Sequence, residues 1–148
     1  MPNVLRNVLA ILAGIVVGGS INSALIALGP SLIPPPAGVD MTTAEGLSMG
    51  MQLLEPRHFI MPFLAHALGT FAGALAAWLI AANHRARFAY AIGVAFLAGG
   101  VAASFMIPAP SWFIAVDLTV AYLPMAWLGS QAGNRLRPAV AVPRMGAA

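Results

Sequence analysis

The chain has 148 residues, of which 60% are hydrophobic and only 7% carry a charged side chain. A soluble domain contains about 25% charged residues, so this composition excludes an ordinary water-soluble globule and indicates a protein whose apolar surface faces lipid. The lack of cysteine excludes disulfides and cysteine-ligated metals. The net charge of +3 comes from scattered arginines that form no basic stripe, so we expect no nucleic-acid partner.

Four apolar segments are each long enough to cross a bilayer, which requires about 20 helical residues. They cover residues 4–28, 59–82, 88–107 and 112–132. Proline, asparagine or charged residues mark their ends, at Gly29-Pro30, 83–85, 108–110 and 134–135. We therefore predict an all-α membrane protein, with one four-helix transmembrane bundle over residues 1–134 and a short cytoplasmic tail over 135–148.

Arginine placement orients the predicted spans. All arginines but one flank the spans on the same side of the membrane, at positions 6, 85, 87, 135, 137 and 144. Arg57 lies on the other side, in a loop that also carries three of the four acidic residues, Asp40, Glu45 and Glu55. Because cytoplasmic loops are enriched in Lys and Arg, we predict a multi-pass protein of the bacterial inner (plasma) membrane with both termini cytoplasmic.

The first span carries Gly14 and Gly18 at a spacing that suits close helix packing. Its single arginine and its apolar run also resemble a signal peptide, so cleavage is the alternative to a retained helix. The length of the run and the glycine spacing favour the retained helix.

The loop between the first two spans is predicted to hold a short amphipathic helix. Thr42 and Glu45 have the spacing of a capping box, and Pro56 ends the segment. Two sets of residues fall on opposite helical faces, the apolar Ala44, Leu47, Met51 and Leu54 and the polar Glu45, Ser48, Gln52 and Glu55. Two interpretations stay open: a connector that rests on lipid headgroups, or a lid that caps the bundle.

The second span contains a row of small residues at every fourth position, Ala65, Gly69, Gly73 and Ala77. Such a row lets another helix approach closely, either within the bundle or across a dimer interface. His66 is next to this row, so we expect its ring to point into the protein rather than into lipid.

Polar residues inside the spans are the candidate functional residues, because lipid offers them no hydrogen-bond partner. The strongest are Asn22, His66 and Asp117, each on a different predicted helix. With a rise of about 1.5 Å per residue, all three lie about 8–10 Å below the outer ends of their spans. We predict that they converge on an outward-facing site for a proton, a cation or a small polar solute, assisted by Thr70 and Tyr122.

Asp117 is the most costly of these residues, since a carboxylate in the middle of a transmembrane helix costs about 3 kcal/mol. His66 is its natural partner, and Arg57 or His58 at the rim of the bundle could also reach it. A coupled imidazole and carboxylate would exchange protons in a useful range of pH. The alternative is structural, in which His66 and Asn22 only brace neighbouring helices.

No enzyme or phosphate-binding motif is present, so we predict no catalytic residue, no cofactor and no metal site. Pro124 leaves the Val120 carbonyl without its helical donor and is expected to kink the fourth span. Two functions stay open. One is a small transport or channel-like protein, which would need a homo-oligomer to form a pore. The other is a non-catalytic accessory or assembly subunit of a larger membrane protein complex.

Overall fold

The computed structural model describes residues 1–40 and 43–137, and all regular elements in this part of the chain are helical. The α-helices are α1 (Asn3–Leu32), α2 (Ala44–Gly50), α3 (Ile60–Ile80), α4 (Arg85–Met106), α5 (Ser111–Val120) and α6 (Leu123–Leu136). Short 3-10 turns at Met51–Leu53 and Pro56–Phe59 join α2 to α3. The prediction of an all-α protein is confirmed for these residues.

Within the described residues, four helical segments are long and apolar enough to cross a membrane: Asn3–Leu32, Pro56–Ile80, Arg85–Met106 and Ser111–Leu136. They overlap the four predicted spans, and their ends agree with the predicted ends to within four residues. Large hydrophobic side chains stay exposed along them, and Phe105 of α4 is 87% exposed. Soluble monomers rarely expose apolar surface on this scale. The four helices and their exposed apolar side chains therefore indicate a multi-pass membrane protein.

Consecutive long helices run antiparallel, so the bundle has two distinct ends. At one of them, which we call the terminal end, Arg6 Nε donates a hydrogen bond to the Ile80 carbonyl over 2.6 Å. There the Asn7 side chain also accepts a hydrogen bond from the Ala82 backbone N–H at 2.9 Å. These contacts tie the start of α1 to the end of α3. The opposite end carries residues 33–40 and 43–59, and we call it the cap end.

The small residues predicted for helix packing lie where α1 meets α3. All of them are buried: Gly14, Gly18, Ala65, Gly69, Gly73 and Ala77. A β-carbon added at Gly14 would lie 2.9 Å from the Gly73 carbonyl oxygen. One added at Gly69 would lie 2.8 Å from the Gly18 carbonyl oxygen. Because α1 of the same chain covers the glycines of the row, they are not available as a dimer interface.

α3 is the central helix, because α1, α4 and α6 all pack against it. α6 comes close at Gly133, where a β-carbon would collide with the Trp78 indole. Ile92 of α4 is fully buried in the same apolar cluster as Trp78. The half of the bundle nearer the terminal end is thus closely packed.

The predicted end of the first span at Gly29-Pro30 is wrong, because α1 continues to Leu32. A proline in the last turn removes only one backbone hydrogen bond, and the Ile33 N–H still bonds the Gly29 carbonyl at 2.8 Å. At the other end of the chain, α6 extends to Leu136, beyond the predicted domain boundary at residue 134. Most of the predicted tail, residues 138–148, lies outside the described residues.

The fourth span is interrupted near Pro124, as predicted. α5 ends at Val120 and α6 begins at Leu123, with a turn at Ala121 and Tyr122 between them. Pro124 has no N–H to donate to the Val120 carbonyl, so the regular pattern of helical hydrogen bonds cannot continue through this point.

α2 and the turn after it fold over the cap end. Leu47, Met51 and Leu54 of this segment form one apolar cluster with Phe59 and Phe113 of the bundle. The polar residues predicted for the opposite face are all exposed, namely Glu45, Ser48, Gln52 and Glu55. The segment is therefore amphipathic as predicted, and its apolar face is turned toward the bundle.

The start of α2 is capped by a different residue from the predicted one. Thr42 lies outside the described residues, whereas the Thr43 hydroxyl accepts a hydrogen bond from the Gly46 N–H at 3.0 Å. A β-carbon at Gly50 would collide with the Val39 side chain. Gly50 thus lets Val39 lie directly against the helix.

Candidate functional site

His66 and Asp117 are in direct contact between α3 and α5. The Nδ1 atom of His66 lies 2.8 Å from Asp117 Oδ1 and 2.9 Å from Oδ2. Asp117 is only 5% exposed. A carboxylate removed from water in this way requires a hydrogen-bonding partner. The structure thus brings together the two residues that the sequence paired only by their depth.

Tyr122 joins this pair, and we call His66, Asp117 and Tyr122 the polar cluster. The Tyr122 hydroxyl donates a hydrogen bond to Asp117 Oδ2 over 3.0 Å. Its ring stacks on the imidazole of His66, with ring centroids 5.8 Å apart. In an unbroken helix, residues 117 and 122 would point about 140° apart. The break between α5 and α6 therefore lets Tyr122 turn back toward Asp117.

The contact with Asp117 sets the tautomer of His66. A carboxylate can only accept a hydrogen bond, so Nδ1 carries the proton and the neutral ring presents an unprotonated Nε2. In the described residues no group hydrogen-bonds His66 Nε2. The atom is not fully buried, because every fully buried side-chain nitrogen there has a partner. The His66 side chain is 25% exposed and lines the cavity described below. One nitrogen is held by Asp117, and the other is free to accept a hydrogen bond or a proton.

The other two predicted site residues differ in their placement. Thr70 is fully buried, and its hydroxyl donates to the His66 backbone carbonyl at 2.7 Å, so it lies beside the polar cluster with its donor already used. Asn22 is half-buried on α1 and faces Gly69, where an added β-carbon would lie 3.1 Å from Asn22 Cβ. The structure does not bring Asn22 into the polar cluster, although its depth in the bundle is similar.

A cavity of about 230 Å³ extends from the polar cluster toward the cap end, between α1, α3, α4 and α5. Most of its lining is apolar. Its polar lining residues are His58, His66, Ser104 and Asp117. α2 and the turn after it contribute apolar side chains to the same wall, namely Leu47, Met51 and Leu54. The cavity thus presents a small polar site at the end of an apolar chamber.

Aromatic rings line the cavity near the cap end. Phe59 and Phe113 both belong to its wall, and their ring centroids are 4.9 Å apart. Trp112 packs edge-on against Phe59 at 5.5 Å. Phe59 and Phe113 thus form an aromatic part of the cavity wall.

His58 and Arg57, which were predicted as possible rim partners of Asp117, do not reach it. His58 is 4% exposed, its Nδ1 accepts a hydrogen bond from the Glu55 N–H at 2.9 Å, and its Nε2 donates to the Pro34 carbonyl at 3.1 Å. Arg57 instead forms a surface ion pair with Glu55 at 3.1 Å. His58 is a buried polar residue whose structural role the sequence did not reveal, since it bonds a residue far away along the chain.

The chemistry available to the polar cluster is proton exchange. No group of three His, Asp or Glu side chains in the described residues could hold a metal ion. His66 lines the cavity and can take a proton at Nε2, and the Asp117 carboxylate would stabilise the imidazolium that results. The cluster is thus suited to a proton or to a ligand that donates a hydrogen bond.

Comparisons with protein-family models, with curated proteins and with solved structures found no match for this chain. The geometry of the polar cluster and its cavity is therefore the basis for a functional proposal.

Proposed function

We propose that this chain is a protein of the bacterial inner membrane with both termini in the cytoplasm. Four long apolar helices support the membrane location. The charge distribution supports the orientation, because Arg6, Arg85 and Arg135 lie at the terminal end, whereas the cap end carries acidic residues. In this orientation the cap end and its cavity face the periplasm.

We further propose that the protein transports a proton, a cation or a small polar solute by way of the polar cluster. The observation that carries this proposal is the contact of His66 and Asp117 at the cavity wall, in which Nδ1 is held by Asp117 and Nε2 has no partner in the described residues. His58 differs, since both of its ring nitrogens are in hydrogen bonds. Ionisable residues inside a membrane are costly, and they are typical of ion and proton pathways.

Transport also requires access to the polar cluster from the terminal end. Thr70 and Ile92, both fully buried, fill the bundle on that side of the polar cluster. Movement of α6 about the break at Ala121 and Tyr122, or assembly into a homo-oligomer, would provide the second opening. The proposal therefore describes a carrier rather than an open pore through one copy.

Flux measurements in proteoliposomes test this proposal. We expect the wild type to dissipate an imposed pH, sodium or potassium gradient faster than empty vesicles do. Asp117→Asn should lower the rate by about 100-fold, because it removes the charge that supports proton exchange at His66. Glu45→Gln is the matched control, since it removes a carboxylate from the exposed face of α2. Equal rates for Asp117→Asn and Glu45→Gln, or a wild type no faster than empty vesicles, would contradict the transport proposal.

The second candidate function is that of an accessory or assembly subunit of a larger membrane complex. A surface groove between α3 and α6 favours it, since Trp127 and Leu68 there are 48% and 42% exposed. The small-residue row does not favour it, because α1 covers its glycines. Purification in mild detergent separates the two functions: a stable complex with a larger, different protein supports the subunit role, and a monomer or homo-oligomer supports the transporter.

A further inference from the structure

We propose that the cavity binds a small amphipathic organic cation, whose ammonium group donates a hydrogen bond to His66 Nε2 while its apolar body occupies the chamber toward the cap. This inference rests on the proposed transport function, which leaves the solute open, and it narrows the solute to one chemical class. Four properties of the cavity lead to it: its charge, the direction of its free hydrogen bond, its lining and its size.

The charge of the cavity favours a cation. With the imidazole neutral, the polar cluster carries the single negative charge of Asp117. Two other titratable side chains are near: Tyr122, which stacks on His66, and His58, which lines the same cavity. In the described residues, α1, α2 and α4 contribute no titratable group to the cavity wall. Arg57, the nearest arginine in sequence, is exposed and paired with Glu55. A carboxylate without a cationic partner in an apolar wall is stabilised by a positively charged ligand.

The free hydrogen bond of the cavity selects a donor. Because Asp117 holds the Nδ1 proton of His66, the accessible Nε2 can only accept while the ring is neutral. A ligand with only acceptor atoms, such as an ether or a carboxylate, would leave Nε2 unpaired. An ammonium group donates a hydrogen bond to His66 Nε2 and also balances the negative charge of Asp117. A neutral hydroxyl donates the hydrogen bond but does not balance the charge.

The lining and the volume define the rest of the ligand. The wall beyond the polar cluster is mostly apolar and includes the rings of Phe59 and Phe113, against which an aromatic or aliphatic body would pack. A dry cavity of about 150 Å³ in another protein holds benzene. The present cavity of about 230 Å³ has room for a ring and a few additional heavy atoms. The 2-phenylethylammonium ion has this size and charge.

The same geometry makes the proton a competitor of the organic cation. Protonation of His66 Nε2 removes the lone pair that accepts the ammonium hydrogen bond, and it neutralises the net charge of the polar cluster. One site therefore holds either a proton or the cation. Exchange of one for the other across the membrane would couple their transport in opposite directions.

Isothermal titration calorimetry on the full chain in detergent micelles tests the ligand class. The probes share one apolar body: 2-phenylethylammonium, neutral 2-phenylethanol and anionic phenylacetate. We expect the cation to bind saturably and at least about tenfold more tightly than the alcohol, which corresponds to about 1.4 kcal/mol, and phenylacetate not to bind. The affinity for the cation should fall as the pH is lowered, because protons then occupy His66.

Variants locate the binding site. Asp117→Asn should weaken cation binding at least about tenfold, whereas Glu45→Gln should leave it unchanged. Because Asp117→Asn can also lower stability, Ala103→Phe provides a second test. Ala103 lines the cavity on α4, so a phenylalanine there fills the chamber without altering any atom of the polar cluster, and it should abolish binding.

The outcomes separate the ligand class from the transport function. Equal affinity for the cation and the alcohol, or undiminished cation binding by both Asp117→Asn and Ala103→Phe, would overturn the ligand class. Asp117-dependent proton flux without cation binding would overturn it too and would leave the transport proposal standing. Cation binding with the expected variant profile but without any flux would support the ligand class and refute transport.

Discussion

At the residue scale, the buried His58 and the half-buried His66 use their ring nitrogens differently. His58 binds the Glu55 N–H and the Pro34 carbonyl and so fixes the start of α3 to the end of α1. His66 gives one nitrogen to Asp117 and leaves the other accessible. Because the hydrogen bond at one nitrogen fixes the role of the other, Asp117 determines that His66 Nε2 is an acceptor.

Tyr122→Phe tests the polar cluster at this scale. The change removes one hydrogen-bond donor from a buried carboxylate but keeps the ring that stacks on His66, so the free energy of unfolding should fall by about 1–2 kcal/mol. Denaturant unfolding in detergent measures the difference. Tyr90→Phe is the matched control, since Tyr90 is 39% exposed, and it should change the stability by less than about 0.5 kcal/mol. Equal effects of the two changes would show that the hydroxyl bond to Asp117 contributes nothing.

The sequence predicted the contact between His66 and Asp117 from depth, but depth does not fix the direction in which a helix presents a side chain. Asn22 has the same depth and faces Gly69 instead. Tyr122 reaches Asp117 only because the helix breaks between them. The sequence signalled the break through Pro124 but carried no signal for the new direction of the tyrosine.

At the element scale, the closeness of α1 and α3 holds the bundle together and positions His66. Gly18 shows how little room there is, since a β-carbon there would lie 2.6 Å from both the Gly69 carbonyl oxygen and the Phe96 ring. Its neighbour Gly19 has open space around it, with nothing within 4 Å of an added β-carbon. The two adjacent glycines therefore provide a matched pair.

Gly18→Ala should destabilise the protein by about 1–3 kcal/mol, because α1 must move away from α3 to admit the methyl group. Gly19→Ala should be neutral or stabilising by up to about 1 kcal/mol, since alanine favours helix over glycine and meets no neighbour. Unfolding midpoints of the two variants in the same detergent measure this difference. A Gly19→Ala variant as unstable as Gly18→Ala would show that helix propensity, and not the close contact, accounts for the effect.

Helix positions were predictable to within a few residues, because long apolar runs and their polar or proline ends mark the spans. The two prolines within the spans show the limit of such signals. Pro30 lies in the last turn of α1 and the helix continues past it, whereas Pro124 lies within the fourth span and the helix breaks before it. The same residue type thus has different effects depending on how many helical hydrogen bonds lie beyond it.

At the scale of the whole molecule, composition and arginine placement were sufficient to predict four apolar helices and an orientation. They were not sufficient to predict that α3 is central or that a cavity lies beside Asp117. Both depend on which faces of the helices meet. A helix that is apolar on every side gives no sequence signal for the face that contacts its neighbours. The α1–α3 contact is the exception, because its glycines marked the faces that meet.

The orientation can be tested directly because the chain has no native cysteine. Ser48→Cys places a thiol on the exposed face of α2, and Ala86→Cys places one on the exposed first turn of α4 at the terminal end. We expect an impermeant maleimide added to spheroplasts to label Ser48→Cys only, and to label both variants after permeabilisation. Labelling of Ala86→Cys but not Ser48→Cys in intact spheroplasts would reverse the proposed orientation.

The most direct measurement of the central claim is the ¹⁵N spectrum of the histidine rings in lipid bilayers, recorded at a pH where the rings are neutral. We predict that His66 is protonated at Nδ1 and bare at Nε2, whereas His58 has the opposite tautomer. His66→Gln and His58→Gln assign the signals, and Asp117→Asn should alter those of His66 alone. A His66 ring protonated at Nε2, or one that does not respond to Asp117→Asn, would contradict the claim that Asp117 holds the ring and offers its free nitrogen to the cavity.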